Sequence, residues 1–375
     1  MVCKALSIRA LGLAGVLQIT CSVAASAQTP FEDEAPIGRF GFGLFYGAEG
    51  GPGLEFDMHT HDLFGRGVEA EASFSTTQRA RHGRIAANSP LASVPGWNVG
   101  VAISGSQTDR RGVSFEFKAI GAEVIIGRQI SPNLRFSSRL RQVHSEISGV
   151  NTDQPVLIDD EAAGWQIDRS IGYALHYRSP QQAYDGHSRL LAGFSQDFSG
   201  FGGDRKYLVS RASLVLRHGF IESWLRTRAE LEVAGLHMQS GSSRISERFH
   251  LGDYMRGFRH HGAGPRDATA TGNDAMGGNF LAVARFDAEV PLTVGPDRRL
   301  FGGAFVDVGS TWGLDDDRAA GGGVVDDQRR WRAVAGVNLG WNTGMGRLNL
   351  TLADAVVKRD GDKVMNVNVS FSTRF

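Results

Sequence analysis

Cysteine is nearly absent from this chain. Of 375 residues, only Cys3 and Cys21 are cysteines. Both fall inside an N-terminal stretch that has the features of an export signal, so the processed chain would carry no thiol. Without thiols the exported protein can form neither a disulfide framework nor a thiolate metal site. We expect it to hold no metal and no cofactor.

Long apolar runs are missing as well, except near the N-terminus. Residues 1–27 combine the basic residues Lys4 and Arg9 with a short apolar stretch and end in Ala25-Ser26-Ala27. This arrangement predicts a signal peptide that is cleaved before Gln28. After it, no apolar run is long enough for a transmembrane helix. Export then leaves the periplasm, the outer membrane or the medium as destinations.

Neither sign of charge is in excess. The 40 Lys and Arg residues balance 40 Asp and Glu residues, so charge gives no reason to expect binding to nucleic acid. The sequence also has no Gly-x-Ser-x-Gly, His-Glu-x-x-His or phosphate-loop pattern. Ser, His and Asp residues are plentiful but are not organised by spacing. We therefore expect a protein that is not an enzyme and has no catalytic residues.

What the chain does have is glycine, and apolar residues that alternate with polar ones. Gly accounts for 49 of the 375 residues. From Arg347 to Ala353, three leucines alternate with Arg347, Asn349 and Thr351, and other segments alternate in the same way. Charged groups at every second residue of a strand need a wet face, whereas the opposite apolar face suits lipid. Soluble sandwiches alternate too, but their strands are rarely this long and this charged on one side.

This alternation predicts an all-β fold: an antiparallel transmembrane β-barrel of about sixteen strands, with a bacterial outer-membrane location. The barrel would span residues 38–375, after a short periplasmic segment at 28–37. The predicted strands start near Arg39, Leu54, Val68, Arg81, Asn98, Phe115, Leu134, Ile167, Ser188, Lys206, Trp224, Phe280, Leu300, Trp331, Arg347 and Val364. Short turns alternate with longer loops, such as 149–165 and 314–330, as is typical of outer-membrane barrels.

One connection is much longer than the others. Between Leu236 and Asn279 lie roughly forty residues, and connections of this length are usually functional or disordered. This one contains Arg256-Gly257-Phe258 and ends in Gly277-Gly278-Asn279. The strands that follow contain Asp287-Ala288-Glu289-Val290-Pro291 and Phe305-Val306-Asp307-Val308-Gly309.

These motifs, in this order, resemble the BamA/TamA-type bacterial surface antigen family of outer-membrane insertases and translocators. The resemblance implies that the long loop folds back into the barrel lumen. It also implies that Arg256 pairs there with carboxylates of the barrel wall. Phe371 and the terminal Phe375 resemble the C-terminal signal by which such barrels are themselves inserted. Taken without the flanking motifs, Arg256 would instead be read as a solvent-exposed loop residue.

Strand phase gives an independent indication of the carboxylate partners. Period-two alternation places Asp307 on the same face as Phe305, which is predicted to point into the lumen. Asp287 and Glu289 share one face of the preceding strand. The family usually has glutamate where this chain has Asp287, so we expect Asp307 to be the main partner of Arg256, with Glu289 as a substitute. An arginine suits this role because its planar guanidinium can bridge two carboxylates.

The resemblance implies a function in inserting, assembling or translocating proteins at the outer membrane. The glycine-rich first strand would make a weak seam with the last strand, since glycine packs nothing and costs entropy. Expected partners are outer-membrane lipid, unfolded outer-membrane proteins and the resident assembly machinery. The periplasmic modules of the family's insertases are not expected here. The alternatives are a passive channel or structural barrel and, third, an outer-membrane hydrolase.

Three further clusters have simpler interpretations. His59 and His61 lie in phase on one strand, where a polar rim is favoured over a metal pair. His260-His261 are expected to form hydrogen bonds within the folded loop. Asp315-Asp316-Asp317 could bind calcium, but three adjacent carboxylates in a loop are more often solvated.

Overall fold

The computed structural model describes residues 38–47, 51–63, 67–91, 93–109, 113–180, 188–220, 224–292, 299–343 and 346–372. The predicted signal peptide at 1–27, the predicted periplasmic segment at 28–37 and Phe375 lie outside these residues. The side chains of His61 and Phe371 also lie outside the described part.

The described residues form one antiparallel sheet in which each strand pairs with its neighbour in the sequence. The strands are β1 (Gly38–Gly47), β2 (Gly51–Leu63), β3 (Val68–Thr77), β4 (Ala80–Pro90), β5 (Trp97–Asp109), β6 (Glu116–Ser131), β7 (Leu134–Ser148), β8 (Gln166–Arg178), β9 (Ser188–Ser199), β10 (Lys206–Phe220), β11 (Leu225–Ser240), β12 (Phe280–Pro291), β13 (Leu300–Trp312), β14 (Arg332–Thr343), β15 (Gly346–Val357) and β16 (Val367–Ser372). The predicted all-β antiparallel architecture is confirmed. Strand starts deviate most at β2, which begins at Gly51 rather than Leu54, and at β16, which begins at Val367 rather than Val364.

The sheet has an apolar face and a charged face, because successive side chains of a strand point to opposite sides. On β13 the charged-face residue Asp307 is 0% exposed, whereas the neighbouring Val306 is 47% exposed. On β12 the apolar-face residue Phe286 is 49% exposed. The apolar face therefore presents large hydrophobic side chains outward, while the polar and acidic side chains of β12 and β13 are covered.

The longer connection predicted at 149–165 is present, because β7 ends at Ser148 and β8 begins at Gln166. It contains an α-helix, α1 (Pro155–Ala162). The Gln154 side chain caps this helix by accepting a hydrogen bond from the Leu157 N–H, and an N-terminal proline fits its first turn. The long connection was expected to begin at Leu236, but β11 continues to Ser240. Among the described residues, no helix is long and apolar enough to cross a membrane.

The two ends of the sheet lie beside each other. Cα atoms of β1 and β16 approach within 8 Å. The hydrogen-bonded strand order nevertheless runs only from β1 to β16 and includes no β1–β16 ladder within the described residues. The described part of β16 is six residues long, much shorter than the 12 residues of its neighbour β15.

Candidate functional site: the long loop and its acidic wall

The connection between β11 and β12, residues 241–279, packs against the charged face of the sheet. It is called the long loop here. Its apolar side chains are nearly all covered: Leu251 is 0% exposed and Phe258 is 1% exposed. Most of them form one cluster with sheet residues of β10 to β15. The cluster contains Tyr207, Val209, Ala234, Leu236, Phe249, Leu251, Tyr254, Met255, Phe258, Ala263, Leu281, Val283, Phe305, Val334, Ala353 and Ala355. Burying these side chains holds the loop on the sheet.

Arg256 lies between two carboxylates of neighbouring strands. Its Nη1 atom donates to Asp287 Oδ1 on β12 at 2.6 Å. Its Nε atom donates to Asp307 Oδ2 on β13 at 2.9 Å, and its Nη2 atom donates to Asp307 Oδ1 at 2.5 Å. The backbone N–H of Arg256 adds a fourth hydrogen bond, to Asp307 Oδ2 at 3.0 Å. The guanidinium thus engages both oxygens of Asp307 and one of Asp287, a geometry that lysine cannot reproduce.

Phe305 forms the floor under this pair. The guanidinium carbon of Arg256 lies 3.6 Å from the centre of the Phe305 ring, which adds a cation–π contact. Phe305 is 2% exposed and Asp307 is 0% exposed, so the contact is shielded from water. A shielded pair of this kind is costly to break on one side, because a bare buried carboxylate would remain.

Two of the predicted motif glycines are required by close packing. Gly257 has a φ of +80°, and a Cβ atom there would lie 2.8 Å from Val334 Cγ1. Gly309 on β13 lies under the loop, where a Cβ atom would come within 2.7 Å of Met255 Sδ. Both positions therefore exclude a larger side chain, since real Cβ contacts are not this short.

The loop tip is also tied to the connection between β15 and β16. Phe258 forms an isolated antiparallel bridge with Val364. The Met365 N–H donates to the Gly257 carbonyl at 2.9 Å, and the Arg259 N–H donates to the Lys363 carbonyl at 3.0 Å. The tip is therefore held both by wall carboxylates and by backbone hydrogen bonds near the C-terminus.

The remaining predicted site residues lie apart from Arg256 or outside the described side chains. Glu289 on β12 lies 3.8 Å from Arg226 on β11. The backbone of Phe371 pairs with Leu348 in the last ladder, but its side chain is not described. Phe375 lies outside the described residues, so the C-terminal signal stays a prediction.

Sequence reasoning missed the ion pairs that fasten the start of the long loop. Arg244 is buried, and its Nε atom donates to Asp160 of α1 at 3.2 Å. The expectation that Asp315 is solvated was wrong, because it accepts a hydrogen bond from Asn279 Nδ2 at 2.8 Å and another from the Ser243 N–H at 2.5 Å. Asp315 thereby joins the two ends of the loop.

A second missed pair fastens the far side of the loop. Arg332 at the start of β14 lies 3.1 Å from Asp362 in the last connection. Its Nη2 atom also donates to the Gly264 carbonyl at 3.4 Å. Arg332 and Asp362 are 30 residues apart, and neither has a local sequence signal that points to the other.

The histidines of the loop make hydrogen bonds inside it, as predicted. His260 Nδ1 is hydrogen-bonded to Asp253, and His261 Nδ1 lies 3.1 Å from the Ala275 carbonyl oxygen. The rings of His250 and His261 are 4.0 Å apart between centroids. Across the part of the chain that the structure describes, no group of three or more His, Cys, Asp and Glu residues has the arrangement of a metal site.

Glu247 is a carboxylic acid of the long loop whose pKa is shifted by burial. Burial raises its pKa to about 7, although the nearby Arg205 opposes this shift. The Arg205 Nη1 atom is 3.6 Å from Glu247 Oε2, and the Arg244 N–H donates to the same oxygen at 3.0 Å. Glu247 lines a cavity of about 210 Å³ between the loop and the charged face of β6 to β11.

Comparison with known families identifies the class of protein. Residues 62–375 match the Omp85 superfamily domain. The chain belongs to the Omp85 superfamily and is a barrel protein of the bacterial outer membrane. The resemblance to BamA that the loop and strand motifs indicated is thereby confirmed.

Individual relatives show which members of the superfamily the chain is similar to. It is 27% identical over 265 residues to the outer membrane protein assembly factor BamA of Neorickettsia risticii (strain Illinois), a match covering 70% of this chain and 34% of that protein. The chain thus spans about a third of that relative's length. In structure it is similar to BamA from Haemophilus ducreyi lacking POTRA domains 1–3, with a TM-score of 0.74, 18% identity and coverage of 90% of this chain and 70% of the other. CdiB from Acinetobacter baumannii gives a TM-score of 0.63 at 13% identity, over 91% of this chain and 60% of the other.

Proposed function

We propose that this protein assists the insertion, assembly or translocation of proteins at the outer membrane through the seam between β1 and β16. In this proposal strands β1 to β16 close into a barrel, the charged face lines the lumen, and the long loop lies inside it. The exposed apolar face meets lipid, which suits the large hydrophobic side chains that it presents. The name of the Neorickettsia relative, an outer membrane protein assembly factor, supports the same class of activity.

The observation that carries the proposal is the weak junction of β1 with β16. The two strands approach within 8 Å between Cα atoms, yet no hydrogen-bonded ladder joins them in the described residues. In lipid, an unpaired strand edge is costly, because each bare N–H and C=O group lacks a partner. A client strand could satisfy these groups by pairing with the edge, in the manner of β-strand addition. A seam of this kind would template a client strand or thin the membrane beside it.

Arg256 has a supporting role in the proposal. By engaging Asp287 at 2.6 Å and Asp307 at 2.9 Å, it fixes the long loop to β12 and β13. The loop then acts as a plug that keeps the lumen from conducting freely and braces the wall while the seam opens. The lumen-loop motif Arg256-Gly257-Phe258, the acidic residues Asp307, Asp287 and Glu289, and the strand residues Phe305 and Gly309 form the functional site in this account.

The organisation and partners of the chain are part of the same proposal. Residues 1–27 would serve as a signal peptide, 28–37 as a short periplasmic segment, and 38–375 as the barrel. The partners would be outer-membrane lipid, unfolded outer-membrane proteins and the resident assembly machinery. Client delivery would depend on other proteins if no periplasmic module accompanies this barrel.

The test is a folding assay with purified components. The barrel is reconstituted into liposomes, and a second, unfolded barrel protein is added from urea. We expect the second protein to acquire its heat-modifiable, protease-resistant form faster than it does in protein-free liposomes of the same lipid. Equal rates in both preparations, with the reconstituted barrel shown to be folded, would contradict the proposed activity.

A further inference from the structure

Each carboxylate that Arg256 engages also faces an arginine of the wall. Asp287 on β12 is the direct cross-strand partner of Arg228 on β11. Asp307 on β13 is the direct cross-strand partner of Arg285 on β12. Directly opposite residues of an antiparallel pair are about 4.5–5.5 Å apart at Cα, which is well within the reach of an arginine side chain. Both carboxylates therefore have a second cation within range.

In the present structure these wall arginines are held elsewhere. Glu230 on β11 accepts hydrogen bonds from both of them: Arg285 Nη2 donates to its Oε1 at 2.7 Å, and Arg228 Nη2 donates to its Oε2 at 2.5 Å. Arg285 Nη2 also donates to Glu232 Oε2 at 3.2 Å. Glu230 thus keeps both arginines close to, but turned from, the aspartates that Arg256 occupies.

Arg285 is linked to the docked loop as well. Its Nη1 atom donates to the Tyr254 carbonyl at 2.9 Å, two residues before Arg256 in the chain. One side chain therefore holds the loop backbone in the docked arrangement and stands opposite Asp307, the main partner of the loop arginine. If Arg285 turned toward Asp307, the hydrogen bond to the loop would be lost in the same movement.

We propose that Arg228 and Arg285 are positioning residues that make docking of the long loop reversible. When Arg256 leaves, Arg228 comes to bridge Glu230 and Asp287, and Arg285 comes to bridge Glu230 and Asp307. Neither aspartate is then left as a bare buried charge, which is the main cost of breaking such a contact. The cluster has two arrangements of the same charges, and the loop selects between them. This inference rests on the proposed function of the loop as a plug on the acidic wall.

The two arrangements make opposite demands on Arg228. In the docked state Arg228 donates a hydrogen bond to Glu230. If Arg228 is removed, Glu230 still has Arg285 as a partner, so the docked state loses little. In the undocked state Arg228 would be the only one of these arginines directly opposite Asp287. Removing Arg228 should therefore disfavour undocking, whereas removing Arg256 should favour it. If Arg228 only stabilised the sheet, its removal would not change undocking in the direction opposite to removal of Arg256.

The test measures how often the loop leaves the wall. Met255 belongs to the long loop, and its side chain is 2% exposed where the docked loop faces the sheet. A Met255→Cys thiol should therefore react with a charged maleimide only when the loop undocks. The full chain carries Cys3→Ser and Cys21→Ser in addition, which leaves one thiol. Labelling rates are compared in this parent after reconstitution, with heat-modifiable mobility as the check on folding. When opening is fast relative to labelling, the rate is proportional to the undocked population.

We expect R256A to speed labelling. R228A should slow labelling by about fivefold, a usual size for such coupling. R228Q should also slow labelling, and it replaces R228A in the test if R228A does not fold. R228K should stay near the parent rate because it keeps the charge. R226A is the matched control, since Arg226 faces Glu289 on the same pair of strands, and it should leave the rate unchanged.

A folded R228A or R228Q variant that labels as fast as the parent, or faster, would overturn the inference. So would an equal slowing in R226A, because the effect would then not depend on the position opposite Asp287. The labelling assay requires no client protein. A barrel that fails to speed client folding can still pass it, so this inference and the proposed function can fail separately.

Discussion

Asp307 Oδ2 accepts hydrogen bonds from the backbone N–H of Arg256 at 3.0 Å and from its guanidinium Nε at 2.9 Å. Asp307 is 0% exposed. A loop residue and a strand residue separated by 51 positions thus form one shielded contact. The Asp307 side chain is 0% exposed and that of Arg256 is 17% exposed, so the contact is largely shielded from water. Its geometry is specific for the planar group of arginine.

The first prediction concerns that guanidinium. R256A should weaken the docked state of the loop by about 3 kcal/mol, toward the low end for a broken buried pair because wall arginines can take over. R256K should recover only part of this loss, since an ammonium group cannot engage both aspartates in the same way. Protease sensitivity of the loop in the folded barrel measures the effect. An R256K barrel as resistant as wild type would contradict the geometric account.

The second prediction concerns the fit of the loop on β13. G309A should destabilise the docked loop by about 1–3 kcal/mol, as is usual for overpacking, because the new Cβ would meet Met255 Sδ at 2.7 Å. G105A is the control, since its Cβ would have no neighbour closer than 3.9 Å.

The same pair of positions allows a double-mutant cycle. M255A should cost less stability in the G309A background than in wild type, because there it also removes the clashing sulfur. Urea unfolding of the four chains gives the coupling between the two sites. Strictly additive effects of G309A and M255A would show that the clash is not the cause.

The third prediction is a pH dependence. Burial raises the pKa of Glu247 from 4.5 to about 7. Between these values the folded chain binds the proton and the unfolded chain does not, so this group makes stability fall as pH rises from 4.5 to about 7, and the dependence ends above that pH. Its contribution to the slope is at most ~1.4 kcal/mol per pH unit. Between about pH 5 and about pH 8, the urea midpoint of E247Q should depend less on pH than that of wild type. Identical pH profiles would contradict this assignment.

The fourth prediction separates an insertase from a passive channel. Wild-type protein in planar bilayers should conduct weakly, because in the proposed barrel the long loop would fill the side of the lumen next to β10–β15. Replacing residues 244–276 by a short Gly-Ser linker preserves β11, which ends at Ser240, and should open a large, steady conductance. A steady large pore in wild type would instead favour the passive channel.

The candidate site could be predicted in part because its main residues obey strand periodicity. Alternation alone placed Asp307 with Phe305 on the covered face, and the motif around Arg256 suggested what would meet it. The pair between Arg244 and Asp160 could not be found this way. Its partners are 84 residues apart, and Asp160 lies on a short helix that shows no marked periodicity in the sequence.

The wall arginines were visible in the sequence but could not be interpreted. Arg228 and Arg285 sit at alternate positions of polar faces, which indicates only that those faces are wet. Their meaning depends on register, which places each opposite one aspartate. Register is set by strand pairing and turn geometry across the sheet, so it became known only from the structure.

The most direct test of the proposed activity alters the seam and leaves the rest of the sheet intact. G41V/G43V stiffens β1, and G83V/G105V is its control in β4 and β5, where an added Cβ would have neighbours no closer than 3.6 and 3.9 Å. Both variants enter the liposome assay with wild type, and folding of a second barrel protein is timed. The account predicts that G41V/G43V loses most of the acceleration while G83V/G105V keeps it. Full acceleration by a folded G41V/G43V barrel would contradict it.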